Sequence, residues 1–188
     1  MKTIIRSLLL FIMSSSVAIS QTAFEEGHSV LQFGVGYGLL NSYGNVTVPP
    51  VTLALDYGST SNLSVGGYVG YSASRDVMFP SGSYGGLITE DTGINYTYFI
   101  FGGRLCYHFD TGDKNLDGYI GAMLGYNTVS ASSFGLSSLG GIDLTSKGSA
   151  LIYGGQLGGR YFVSPNVALF AEVGYGIGYV TGGLSIKL

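Results

Sequence analysis

Cysteine is nearly missing from this chain: Cys106 stands alone. A single thiol cannot close an internal bridge, so this is not a small secreted domain held by disulfides. Cations are scarce as well. Eight Lys+Arg against 11 Asp+Glu leave a formal charge of −3. No basic cluster is present, which excludes a nucleic-acid-binding surface. Charged residues of both signs make up only 10% of the chain. That shortage does not mean disorder, because disordered chains are charged and poor in aromatics. This one has 15 tyrosines and 10 phenylalanines. Beyond residue 20 there is also no apolar run near the ~20 residues that a membrane helix requires.

What is present begins with a leader. Residues 1–20, MKTIIRSLLLFIMSSSVAIS, place Lys2 and Arg6 before an apolar run and end in small residues, with Ala18 and Ser20 at A-x-S spacing. That is the pattern of a cleaved, Sec-type signal peptide. Two domains are therefore expected: a leader at 1–20 and one folded unit at 21–188, long enough for a single domain. An exported chain without a spanning helix still has to place a large apolar surface somewhere.

Period-two alternation answers that need. In LQFGVGYGL (31–39) the odd positions read Leu, Phe, Val, Tyr, Leu and the even positions Gln, Gly, Gly, Gly. A strand sends alternate side chains to opposite faces, so one face is apolar and the other small or polar. Seven further stretches alternate the same way: 51–57, 63–73, 97–109, 118–128, 151–163, 167–177 and the terminal GGLSIKL. The apolar faces carry no charge. The opposite faces carry Asp56, Arg104, His108, Arg160, Glu172 and Lys187. A soluble sandwich or lipid-binding barrel would be built the other way round. Small and polar inside with apolar outside is the arrangement of a barrel in lipid, where a closed sheet leaves no backbone edge unpaired. The links agree. Long ones are expected near 41–50, 74–95 and 131–148, and shorter ones near 58–62, 110–117 and 164–166. The expected fold is all-β: an eight-stranded, antiparallel, up-and-down transmembrane barrel.

FGVGYG in the first strand, FGGRLCYHF in the fourth, the hairpin GGQLGGRYFVSPNVALFAEVGYGIG and the terminal GLSIKL give the mature chain a family likeness. It resembles the small eight-stranded outer-membrane barrels, the group of the OmpA transmembrane domain, OmpX and OmpW, often described as porin-family. The resemblance implies a bacterial outer-membrane location. It implies outer-membrane lipid and lipopolysaccharide as surroundings, and the outer-membrane assembly machinery as a partner. A monomer with no cofactor and no nucleic acid is expected. It also implies that the last strand, with Leu184, Ile186 and Leu188, is the assembly signal. That signal usually ends in an aromatic, whereas this chain ends in Leu188.

Three constellations carry candidate chemistry. Asp56, Arg104, Arg160, Glu172 and Lys187 share the inner face. Buried charges must pair, so they are expected to form a structural ion-pair network filling the interior, or else to line a narrow pore. DKNLDG, Asp113 to Gly118, has the D-x-N-x-D-G opening of a calcium loop, but Leu124 stands where a bidentate Glu belongs. A solvated turn is the expectation, with a weak calcium site the alternative. An outer-leaflet lipid-modifying enzyme would need a base beside its nucleophile near the long loops. His28 and His108 both fall at the opposite end, and Cys106 is expected as a small interior filler. The leading functional expectation is a non-enzymatic structural or surface-interaction protein, with the 74–95 loop as its most prominent outer segment. A narrow porin-like channel comes second.

Overall fold

A computed structural model describes residues 23–38, 44–86, 88–135 and 145–188. The expected leader at 1–20 lies outside these residues, as do 39–43 and 136–144.

Eight strands run β1 (Ser29–Tyr37), β2 (Asn45–Gly58), β3 (Leu63–Phe79), β4 (Thr92–Phe109), β5 (Leu116–Phe134), β6 (Thr145–Ser164), β7 (Val167–Tyr175) and β8 (Val180–Lys187). Each pairs antiparallel with its sequence neighbours. β1 then pairs with β8, Val30 opposite Lys187 through Tyr37 opposite Val180, and the sheet closes on itself. Hydrophobic alternation sets the register, because a slip of one residue would turn every apolar side chain inward.

Burial follows parity. Along β4, Phe99, Phe101, Leu105, Tyr107 and Phe109 are exposed on the outside, while Ile100, Arg104, Cys106 and His108 are buried inside. The same holds on the other strands: Leu53, Leu55, Ile120, Leu124, Leu157, Leu169 and Leu184 all point outward. The few buried apolar residues, among them Ala54, Tyr68, Tyr98, Ile100, Met123 and Ile177, form a small cluster inside the upper half. The larger apolar surface faces out.

The two ends differ. At the turn end, near the described termini, β2–β3, β4–β5 and β6–β7 are joined by short connections. At the loop end the strands are longer than alternation indicates. Much of the three expected loops is strand: β2 already begins at Asn45, β3 runs to Phe79, β4 starts at Thr92, β5 reaches Phe134 and β6 starts at Thr145. Apolar alternation on the outer face ends before the ladders do: on β5 it gives way after Tyr126 to Thr128, Ser130 and Ser132. Ladder hydrogen bonds do not depend on that change, so Ser- and Thr-rich segments continue the sheet. β3 to β6 therefore rise as a wall above the shorter β7, β8 and β1.

Candidate functional site: the ionic interior

Inward parity on five strands brings the ionic groups to one level. Arg104 and Arg160 are both buried and share Asp56. Arg104 Nε donates to Asp56 Oδ1 at 2.6 Å, and its Nη2 reaches Asp56 Oδ2 and Gln32 Oε1. Arg160 Nη2 donates to Asp56 Oδ2 at 2.5 Å and to Gln32 Oε1 at 3.0 Å. Glu172 accepts from Arg104 Nη1 at 3.3 Å, from Tyr119 Oη at 2.7 Å and from Gln156 Nε2 at 3.4 Å. The Arg160 guanidinium also lies 4.6 Å over the Tyr119 ring. Two like charges can lie this close because the carboxylates and the amide oxygen of Gln32 stand between them.

Glycine makes the room. A Cβ at Gly66 would come within 2.3 Å of Asp56 Oδ1 and of the Leu55 carbonyl. At Gly158 it would meet the Tyr119 ring at 2.7 Å and Glu172 at 2.8 Å. The glycines that read as the blank face of the alternation are the space into which the long ionic side chains fold.

Of the five residues expected to share the network, Asp56, Arg104, Arg160 and Glu172 are linked in one chain of ion pairs, Arg160 to Asp56 to Arg104 to Glu172. Lys187 is not among them: it lies lower and pairs with Glu25 Oε2 at 3.0 Å. Glu25 belongs to the segment before β1, and that segment crosses the turn-end mouth. Phe24 stacks on His108 with centroids 3.6 Å apart, and Gly27 N donates to the Gly58 carbonyl. The mouth is thus capped by the chain's own amino-terminal residues.

Asp117 departs from its expected place. It is not in a solvated turn but in β5, buried, opposite Arg160. Its Oδ2 accepts from Arg160 Nη1 at 3.2 Å, and its Oδ1 lies 2.7 Å from His108 Nδ1. The preceding turn is held by Asp113 Oδ1 accepting from Asn115 N at 2.9 Å. The three calcium-type donors therefore do not converge. Asp117 faces inward, away from Asp113, and its two oxygens are already bonded. Counting back by twos from Met123 on β5 would have placed Asp117 and Tyr119 inside, but the turn-like letters of DKNLDG mask that parity. Gln32 was legible as a polar even position on β1, though its bridging role was not.

His108 is also bonded on its other side, with Nε2 2.8 Å from Ser64 Oγ. A neutral imidazole donating from Nδ1 to Asp117 and accepting at Nε2 from the Ser64 hydroxyl satisfies all three groups. This is the hydroxyl–imidazole–carboxylate order of acyl-transfer nucleophiles. The setting differs, however. Ser64 is only 1% exposed, and Phe24 covers the imidazole face. Cys106 is buried beside Gln156 Nε2, 3.9 Å from its sulfur.

No family model matches the chain, and no curated protein matches it. Among solved structures it is similar to a de novo designed transmembrane β-barrel, with 18% identity and a TM-score of 0.52 over 89% of this chain and 100% of that one. It is likewise similar to the N-terminal β-barrel domain of OprF from Pseudomonas aeruginosa, at 12% identity and a TM-score of 0.55, covering 87% and 98%. A major outer membrane protein of Thermus thermophilus matches at 12% identity and a TM-score of 0.54, covering 85% and 99%. At these identities the likeness shows the fold.

Proposed function

We propose that the chain is an integral outer-membrane barrel with no enzymatic activity. Its interior is closed by an ionic network, and its raised wall and loops are offered outward for structural or surface contacts. The observation that carries this reading is the inversion of burial: charges inside a closed sheet, Leu, Val, Phe and Tyr around its outside. From Phe99 to Phe109 β4 advances about 33 Å along itself, or about 25 Å once tilted by ~40°, which is the height of an outer-membrane apolar band. Two of the solved barrels it resembles, the designed transmembrane barrel and the major outer membrane protein, support the same reading by their names. On this view the loop end faces outward and the turn end faces the periplasm. β8 directs Leu184 and Ile186 outward, and Leu188 follows just past its end, all three exposed, as the segment offered to the assembly machinery, and the barrel works as a monomer.

A second reading is a narrow channel. One observation favours it: a cavity of about 30 Å³ lies beside the ionic layer between Tyr68, Arg104 and Glu172, room for about two waters. Arg104 and Arg160, clamped to Asp56, narrow the path at their level.

The test is refolding of the chain from urea into detergent micelles, followed by gels with and without boiling. A band whose mobility shifts on boiling is expected. A single unshifted band, with solubility after detergent withdrawal, would refute membrane placement. Planar-bilayer recordings then separate the two readings: steady conductance from the folded barrel would favour the channel.

A further inference from the structure

One joint of the barrel is unlike the others. Every other pair of neighbouring strands is consecutive in the chain, and the link between them keeps the two strands close before they pair. β1 and β8 are the first and last strands, so their ladder has no such link. That ladder is short. It runs from Val30–Lys187 to Tyr37–Val180, whereas β4 on β5 runs from Gly93–Phe134 to Phe109–Gly118. It is also rich in glycine: Gly34 stands opposite Gly183, with Gly36 and Gly182 beside them. Glycine weakens a strand, having no side chain to pack and more freedom to lose.

Residues 23–28 cross the mouth at the lower end of this seam. Beside β1, Gly27 N donates to the Gly58 carbonyl at 2.8 Å and Gly58 N donates to the His28 carbonyl at 2.9 Å. Gly27 turns the chain with a φ of 82°, and the segment then reaches two further strands. Glu25 Oε2 lies 3.0 Å from Lys187 Nζ, on the last residue of β8, and 3.3 Å from His28 Nδ1. Phe24 lies flat on His108 of β4, the two planes 9° apart. His108 is itself fixed by Ser64 and Asp117, so the phenyl ring rests on a rigid plate. A Cβ at Gly58 would come within 2.5 Å of the Glu25 carbonyl; the missing side chain leaves room for the crossing. Beneath it, a cavity of about 10 Å³ between Glu25, Asp56, Arg160 and Lys187 has room for one water at most.

We infer that residues 23–28 are a strap that locks the β1–β8 seam once the barrel has closed. Its anchors on β2, β4 and β8 surround one mouth only after β1 has met β8, so the strap seats last. Glu25 then ties the segment ahead of β1 to the end of β8, and Phe24 fixes the far end of the strap on β4. The strap thus does for the seam what a turn does for every other joint. Contacts made after the closing step slow opening and leave the closing rate unchanged.

The full chain, refolded in detergent micelles, would be unfolded and refolded in urea while the loss and return of its β-sheet circular dichroism are followed in time. Phe24→Ala and Gly58→Ala should each speed unfolding roughly fivefold, and Glu25→Gln roughly tenfold, with folding rates unchanged. Gly58→Ala alters no strap side chain and displaces the strap through its backbone alone. Glu26→Gln, exposed beside Glu25, should change neither rate. L31C and I186C, at directly paired positions of β1 and β8, would then be joined by oxidising the folded chain, in which Cys106 is buried. With the seam held covalently, the strap variants should unfold at the rate of their cross-linked parent, and reduction should restore the difference. Three results would each overturn the inference: strap variants that unfold like the parent, that slow folding as much as they speed unfolding, or that keep their full effect in the cross-linked chain.

Discussion

Arg160 is the residue on which the interior turns. It is fully buried and bonds Asp56, Gln32 and Asp117, and it stacks on Tyr119. Arg160→Gln would leave Asp117 with only His108 and would weaken the clamp on Asp56. Stranding a buried charge in this way costs about 3–5 kcal/mol. The urea midpoint of the barrel in lipid vesicles should fall accordingly, and Asp117→Asn on the same background should recover part of the loss. An unchanged midpoint for Arg160→Gln would mean that water reaches this level and solvates the carboxylates. Gly66 should prove equally sensitive for a steric reason: Gly66→Ala pushes Asp56 off Arg104, and a lower urea midpoint in the same assay is the expected result. Ser64 should stay unlabelled by a fluorophosphonate probe in the folded chain, since its hydroxyl is shielded and spent on His108. Labelling would show that the segment at Phe24 opens and that a nucleophile lies beneath it.

Strands carry their information in where alternation stops. On β5 the outward residues change from Ile120, Leu124 and Tyr126 to Thr128, Ser130 and Ser132, while the β-ladder runs on without a break. That change marks the proposed edge of the apolar band. An arginine introduced at Leu124 should destabilise the barrel in vesicles by about 2–4 kcal/mol, whereas one at Ser130 should cost about 0–1. Equal penalties would mean that the band extends over the wall, or that it is absent altogether. The same transition explains why strand extends into each of the expected long loops. Period-two hydrophobicity detects strands by their apolar face, and it is blind to a ladder with water on that side.

For the molecule as a whole, closure is the deciding property. β1 meets β8, so no described part of the common barrel has a free edge, and eight strands enclose a space that side chains can fill. The ionic layer and the amino-terminal cap at Phe24 close that space at two levels. Removing the stacking with Phe24→Ala should therefore not raise bilayer conductance, because the arginine layer still blocks the path. A clear rise would identify the cap as the gate and favour the channel reading.

The sequence by itself determined which side chains face which way. Parity along each strand is local, and the scarcity of charge on one face, set against Asp56, Arg104, Arg160 and Glu172 on the other, already implies an inverted barrel. It could not determine partners. Whether Lys187 meets Glu172 or Glu25, and whether Asp117 is a turn residue or the counter-ion of Arg160, depends on the stagger between strands far apart in the chain. That stagger exists only once the sheet has closed. The raised wall was likewise decided by pairing between strands, since a ladder's length is a property of two neighbours and not of either segment read alone.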